Sequence, residues 1–425
     1  IHLVEQASAS KAPISKLADK ISGVFVPVVI AIALVATATW LLLGYPFDFA
    51  LSIGIAVLVI SCPCALGLAT PVAIMVGTGR AAEQGMLIKS AETLETGYKI
   101  DTIVLDKTGT LTAGTPVVTK VIVNRFFTEN KLIEIAASLE KPSEHPLAGA
   151  VLDEALFRGI NELPVDDFEA FPGMGIKGSI NQRVYMAGNL KMMEVNAVKT
   201  GSFENKSALL ADEGNTLLFI ANSTEVLGVI AVADVLKSGS AAAVKKFQQL
   251  GMEVVMLTGD HLKSAQFIQH QLSIEKVIAE VLPHEKEMEI RKLQEQGKKV
   301  AMVGDGINDA PALMRADLGI AIGAGTDIAM ESADVVLISN ELSGVASFIQ
   351  LSKDVMLNIK QNLFWAFFYN ILGIPLAAGV FYTMWGWKLS PMFAAAAMSL
   401  SSVTVVLNAL RLRSGVKKVS KKSMK

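Results

Sequence analysis

Cysteine is nearly absent. Two in 425 residues exclude a disulfide-stapled secreted fold. Charge is scarce as well: 18% of residues are charged and 52% hydrophobic, with a mean hydropathy of +0.46. Soluble domains carry roughly a quarter charged residues, so part of this chain must avoid water. Disorder, collagen and a single soluble enzyme are excluded. The shortage is local. Residues 1–79 hold three basic and three acidic side chains, and residues 361–425 hold eight basic and no acidic ones. The remaining 27 basic and 37 acidic residues make 80–360 a charged, globular-looking block of net −10.

No charge interrupts Lys20 to Asp48, Asp48 to Arg80, Gln361 to Trp387 or Leu389 to Leu410. Each stretch reaches the ~20 residues a helix needs to cross a bilayer core. Four spans are expected, at about 21–47, 49–79, 361–387 and 389–410. Lysine and arginine gather at one end of each pair: Lys11, Lys16 and Lys20, then Arg80 and Lys89, then Lys353 and Lys360, then Arg411, Arg413, Lys417 and Lys418. The short turns hold only Asp48 and Lys388. Positive charge stays inside, so the block and both termini are expected in the cytoplasm; the membrane crossed is expected to be a prokaryotic plasma membrane. The chain opens on Ile1 with no cleavable leader pattern, which predicts a cut from a longer chain.

From about residue 101 short apolar runs alternate with amphipathic segments, an α/β pattern. Strands are predicted at Thr102–Leu105, Glu253–Leu257, Val300–Val303, Leu318–Ile322 and Val335–Ile338, and helices at Gly239–Leu250, His284–Gln296 and Asp309–Arg315. Residues 114–232 differ: two helices over about 130–158, then glycine-punctuated strands at Ile176–Ile180, Val184–Ala187, Thr216–Ala221 and Val226–Val232. They read as a domain inserted after the first strand. The predicted organisation is two spans in 1–99, an α/β domain over 100–113 and 233–340, the insert at 114–232, and two spans in 341–425.

Chemistry gathers at the strand ends. The first strand runs into Asp106-Lys107-Thr108-Gly109-Thr110, a later one into Thr258-Gly259-Asp260, and a third into Gly304-Asp305-Gly306-Ile307-Asn308-Asp309. Lys286 opens a helix after Leu282-Pro283. Parallel sheets bind ligands at these tips. A carboxylate there can attack a phosphoryl group, while other carboxylates hold Mg2+ and a lysine faces phosphate oxygens. One such aspartate is usually a turn residue or helix cap; the ordered set is a much stronger signal.

These motifs resemble the phosphorylation-domain signatures of P-type ATPases, which are built on a haloacid-dehalogenase-like core. The resemblance implies that ATP phosphorylates Asp106, that Asp305 and the Thr108 carbonyl hold Mg2+ beside Asp106, and that Lys107, Thr258, Asp260, Lys286, Asn308 and Asp309 complete the site. His261 stands where the family commonly has asparagine. No P-loop is present, since Gly297-Lys298 lacks the upstream glycine. Ser143-Glu144-His145-Pro146-Leu147 and Gly173-Met174-Gly175-Ile176-Lys177-Gly178 resemble the nucleotide-binding domain of the heavy-metal branch. By that likeness Glu144 and His145 recognise adenine, Gly173 and Gly175 admit the nucleotide to the backbone, and Gly188 and Asn189 join them. The implied fold class is an α-helical membrane domain plus an α/β haloacid-dehalogenase-like phosphorylation domain with an inserted α+β nucleotide-binding domain.

Both cysteines lie in Cys62-Pro63-Cys64, mid-way along the second apolar stretch. On an unbroken helix they point about 200° apart, and Pro63 predicts a break that turns both toward one cavity. Their spacing and a cytoplasmic setting disfavour a disulfide. Tyr369-Asn370 lies in the third stretch, and Met398 and Ser402 share a helix face in the fourth. With the cysteines they resemble the copper-type subgroup, whose transport sites use these six residue types. Soft sulfur donors suit Cu(I) and Ag(I), whereas a divalent site calls for a carboxylate that the third and fourth stretches lack. The resemblance implies ATP and Mg2+ as cofactors, lipid, the transported metal ion and a cytosolic copper chaperone as partners, and no nucleic acid. A Thr-Gly-Glu actuator loop is absent from the sequence, so a C-terminal part of a longer pump is expected. A divalent zinc or cadmium pump and a non-transporting membrane-anchored phosphatase are the alternatives.

Overall fold

In a computed structural model of the chain, residues 13–62, 64–143, 146–201, 203–306, 308–323 and 327–414 are described. They fall into two compact units: Asp101–Arg315, and the residues up to Ile100 together with those from Ala316 onward.

The second of these is mainly helical. Helix Pro13–Leu42 turns at Gly44 and is followed by Phe47–Ile60. A Cβ on Gly54 would sit 2.2 Å from Thr37 Oγ1, so glycine lets the two helices touch there. The helix stops at Ile60 and a new one starts at Cys64, running to Glu83. Helix Ser343–Ala377 is 35 residues long, and Pro391–Ser414 closes the bundle. Pro13–Leu42 and Pro391–Arg413 are long and apolar enough to cross a membrane, and Phe47–Ile60 is a shorter apolar helix. Arg80 Nη1 donates to the Leu412 carbonyl at 3.0 Å, tying the helix after the break to the last one. In the same unit Met86–Ile88 pairs antiparallel with Val335–Leu337, which pairs parallel with Leu318–Ile322.

In Asp101–Arg315, four parallel strands lie in the order Val300–Gly304, Thr102–Asp106, Glu253–Leu257, Lys276–Ile278. The strand Thr102–Asp106 is buried along its whole length, as a central parallel strand covered on both faces must be. A six-stranded antiparallel sheet is built from Thr112–Val123, Val226–Leu236, Thr216–Asn222, Arg183–Gly188, Gly175–Ile180 and Asp166–Phe171, in that spatial order. Helices Glu129–Glu140 and Pro146–Phe157 pack on it through Leu132, Ile135, Leu139 and Val151.

Two strands of that sheet have no counterpart in the sequence reading, Thr112–Val123 and Asp166–Phe171, and both are its edges. Their side chains are mostly exposed, so the apolar alternation that marks a half-buried strand is missing. Helices Leu190–Val195, Phe203–Asp212 and Leu262–Leu272 were unforeseen too; the last buries only Ala265, Ile268 and Leu272.

Candidate active site

Strand register sets the geometry. Asp106 ends its strand opposite Leu257 on one side, and Leu105 pairs with Val303 on the other. Thr258 follows Leu257 and Asp305 follows Gly304, so all three functional side chains emerge from one edge of three adjacent parallel strands. After Asp106 the chain makes a single wide turn, Lys107–Leu111, closed by the Thr112 amide on the Lys107 carbonyl. Gly109 takes φ +72 inside it, a conformation open to glycine. Asp305 Oδ2 lies 3.2 Å from where a Cβ on Gly109 would be, which places the Asp305 carboxylate against this turn.

Lys286 holds the centre. Its Nζ donates to Asp106 Oδ1 and Asp309 Oδ1, each at 2.6 Å, with the side chains of all three almost fully buried. Two carboxylates thus share one ammonium. Burial, then repulsion from Asp309, outweighs the attraction of Lys286 and lifts Asp106 to about 7. Asp309 is raised as well, chiefly by burial. For Lys286 burial acts downward, but Asp106 and Asp309 together carry it above the ordinary lysine value. Lys107 is ion-paired with Asp260, and the Thr258 hydroxyl accepts the Asp260 amide at 3.1 Å. Asn308 is exposed at the turn before helix Ala310–Arg315.

The surplus of negative charge fits a hard cation. Among the described residues no cluster of three side-chain metal donors occurs. Asp305 approaches the turn that follows Asp106, and hard carboxylate oxygens of this kind could hold Mg2+, which keeps several of its waters.

Gly173, Gly175, Gly188 and Asn189 line a pocket of about 780 Å3 in the antiparallel domain, with Ser143, Leu147, Phe168 and Thr216. Glu144 and His145 lie outside the described residues. Gly175 and Gly188 face each other across two strands. A Cβ on Gly175 would sit 2.3 Å from the Ala187 carbonyl, and one on Gly188 2.5 Å from Met192 Sδ. These two glycines therefore also let the strands pack closely at the pocket wall. Gly173, at φ +71 with open space around it, forms the loop itself. Asn189 Nδ2 donates to the Gly173 carbonyl at 2.9 Å, and Asn189 Oδ1 caps the Met192 amide at 3.1 Å, so its amide braces the loop. A second cleft, of about 920 Å3, shares Leu147 and Thr216 with this pocket and extends to Lys107, Thr108 and Asp260.

Two residues escaped the sequence reading. Glu140, 3% exposed, ends a buried helix and lines the pocket; an acid on an otherwise apolar helix face was the available signal. Lys237 Nζ donates to the Gly109 carbonyl at 2.5 Å, and burial lowers its pKa despite Asp234 and Asp305. It ends an apolar strand, as the aspartates do.

In the helical unit, Cys62 packs beside the cluster that contains Met398, Ala394 and Ala377. Asn370 and Met398 are buried, while Tyr369 and Ser402 are half-buried. Tyr369 stacks on Trp365 with ring centres 5.9 Å apart, and Ser402 Oγ bonds back to the Met398 carbonyl at 3.3 Å. The expectation that the cysteines are free thiols needs correction: Cys62 is disulfide-bonded. The side chain of Cys64 lies outside the described residues. A cystine carries no thiolate, so a metal could use this sulfur only when it is reduced.

The haloacid dehalogenase-like hydrolase pattern matches residues 100–317, just over half of the sequence. The chain belongs to the haloacid dehalogenase-like hydrolases. This hydrolase is 49% identical over 414 residues to the probable copper-transporting ATPase PacS of Synechococcus elongatus, covering 97% of this chain and 55% of that one. It is 49% identical over 417 residues to a copper-exporting P-type ATPase of Staphylococcus epidermidis, covering 97% and 51%. It spans about half the length of these relatives. The crystal structure of a zinc-transporting PIB-type ATPase in an E2.Pi state matches 97% of this chain and 66% of that one, with a TM-score of 0.83 and 34% identity.

Proposed function

We propose that this hydrolase is the catalytic and C-terminal membrane part of a P-type ATPase that exports monovalent copper, and Ag(I) by the same chemistry, through an aspartyl-phosphate intermediate. The observation that carries it is the Asp106–Lys286–Asp309 cluster at the strand edge, next in sequence to Lys107 and Thr108, which line a cleft that shares Leu147 and Thr216 with the glycine-lined pocket. Adenine occupies the pocket beside Glu140, with Glu144 and His145 as further partners, and the triphosphate runs along the cleft past Lys107 and Thr108. A carboxylate oxygen of Asp106 attacks the γ-phosphorus as the bond to the β-phosphate oxygen breaks. ADP leaves and the phosphoryl group stays on Asp106. Lys286 offsets charge on the phosphoryl oxygens, Thr258 offers its hydroxyl, Asn308 completes the rim, and Asp260 holds Lys107 in place. Mg2+, when bound by Asp106, Asp305 and the Thr108 carbonyl, neutralises phosphate charge.

The phosphorylation domain comprises 100–113 and 233–340, around a nucleotide-binding insert at 114–232. Two helices on either side of that block span a prokaryotic plasma membrane, with the block and both termini in the cytoplasm, where a copper chaperone can deliver the ion. Reduced Cys62 and Cys64, Met398 and Asn370 bind it, with Tyr369 and Ser402 at the edge. The names of the relatives support copper. The zinc-transporting match favours a divalent cargo by overall shape, but no carboxylate occurs in 361–410 to balance a second charge.

The test is phosphorylation of the reduced protein from γ-labelled ATP and Mg2+, with Cu(I) or Zn2+, beside Cys62→Ser. Label stimulated by Cu(I) alone and lost in Cys62→Ser is the expected result. Equal stimulation by Zn2+ selects the divalent reading, and label indifferent to metal and to Cys62 leaves only a dehalogenase-like phosphatase.

A further inference from the structure

Glu280 has a left-handed backbone, with φ at +59, a conformation unfavourable to any residue that carries a Cβ. Such strain is kept where the surroundings impose it. Here the Glu280 amide donates to the Asp260 carbonyl at 3.0 Å, and the Val281 amide to the Thr258 carbonyl at 3.2 Å. These bonds lay the chain around Glu280 along Thr258-Gly259-Asp260. Glu280 Oε1 thereby comes 3.3 Å from His261 Nδ1.

His261 precedes helix Leu262–Leu272, and its side chain makes no capping bond, whereas an asparagine at that position is a strong cap. The ring turns to the carboxylate instead. Both side chains remain open to solvent, His261 at 95% exposure and Glu280 at 60%.

The two residues line the cleft of about 920 Å3 that extends from Thr216 to Lys107 and Thr108. Its charged lining sets three basic side chains, Lys107, His261 and Lys263, against four acids, Asp212, Asp234, Asp260 and Glu280. Lys107 is paired with Asp260, and Lys263 Nζ with Asp212 Oδ1 at 2.9 Å. Asp234 accepts the Gly114 amide at 2.8 Å and the Thr112 hydroxyl at 2.5 Å. The ion-pair partner of Glu280 is an imidazole. Histidine is the side chain whose charge ordinarily changes between pH 5 and 8. With a neutral ring, two lysines against four acids give the cleft a formal charge of −2; with a protonated ring it is −1.

We propose that His261 and Glu280 form an electrostatic gate on the phosphate tail of the nucleotide, so that protonation of His261 sets how tightly the triphosphate is held. The inference rests on the nucleotide reading above. When the ring is neutral, the Glu280 carboxylate stands uncompensated at the cleft and repels an incoming polyanion. When the ring is protonated, that charge is balanced, and the imidazolium has a second N–H, at Nε2, to donate to a phosphate oxygen. Affinity for a triphosphate therefore rises as pH falls through the histidine range, and a monophosphate lacking the outer groups is spared the effect.

The test is calorimetric titration of the full chain with a non-hydrolysable ATP analogue and Mg2+, and separately with AMP, at pH 6 and pH 8. The proteins are the parent, His261→Asn, His261→Lys and Glu280→Gln. The ligand titrates identically in every sample, so each variant is read against the parent at one pH. At pH 8, His261→Lys and Glu280→Gln should bind the analogue about threefold more tightly than the parent, the effect of one exposed charge, and His261→Asn should match the parent. At pH 6, His261→Lys should match the parent and His261→Asn should bind about threefold more weakly. AMP should bind all four proteins alike. His261→Asn should melt no lower than the parent, since asparagine caps the helix. A parent-like pH response in His261→Asn, no gain in Glu280→Gln at pH 8, or an equal response with AMP overturns the gate. Failure of the parent to bind either nucleotide overturns the nucleotide reading and this inference with it.

Discussion

Lys286 Nζ stands 2.6 Å from Asp106 Oδ1 although 180 residues separate them in the chain. The same nitrogen reaches Asp309 at the same distance, so Asp106, the proposed nucleophile, is held by a cation that it shares with a second buried carboxylate.

Replacing Lys286 with alanine removes that cation and leaves two buried acids facing each other. Removing one partner of a buried pair costs about 3 kcal/mol, and here the loss should shrink below pH 6 as Asp106 takes up a proton. Urea unfolding at pH 7.5 and pH 5.5 measures both values.

Asp106 has its folded pKa raised from 3.8 to about 7, so its contribution to stability is complete below pH 4 and is lost as pH rises through 7. Asp309 shifts in the same direction. The Mg2+-free protein should therefore gain stability between pH 7.5 and pH 5.5. Asp106→Asn should flatten that slope and raise the unfolding temperature at pH 7.5 by about 5 °C, the effect of ~2 kcal/mol in a domain of about 200 residues. Calorimetry across the pH range, with and without Mg2+, reads the slope directly; the metal should flatten it for the parent.

The two pocket glycines should separate. Alanine at Gly175 meets the Ala187 carbonyl and must push strands apart, which predicts a loss of about 2 kcal/mol and at least a tenfold weaker ATP affinity. At Gly173 an added methyl meets nothing, and only the φ of +71 is unfavourable, about 1 kcal/mol. Calorimetric titration with a non-hydrolysable ATP analogue distinguishes the pair.

Asn189→Ala loses a helix cap and the brace on the Gly173 carbonyl together. The cap alone is worth about 1 kcal/mol. The loosened loop should raise the KM for ATP more than it lowers kcat, whereas a purely structural residue would lower both through the folded fraction.

Strand tips were readable because each functional acid directly follows an apolar run, and a buried parallel strand admits few other sequences. Strands Thr102–Asp106, Glu253–Leu257 and Val300–Gly304 differ from the reading by a residue at most. The edge strands were not readable, since residues exposed on both faces carry no period. Lys237 and Glu140 stayed hidden because their importance comes from contacts across the fold: Lys237 reaches a carbonyl 128 positions away. The glycines of the pocket were legible from their spacing, whereas the close packing of Gly175 on Ala187 and Met192 comes from contacts across the sheet. Pro63 signalled the break after Ile60.

The central claim is that Asp106 accepts the phosphoryl group. Incubating the protein with γ-labelled ATP and Mg2+, quenching in acid and treating with hydroxylamine tests it directly. The account predicts acid-stable, hydroxylamine-sensitive label on the peptide carrying Asp106, absent from Asp106→Asn. Label that survives in Asp106→Asn, or that resists hydroxylamine, would contradict it.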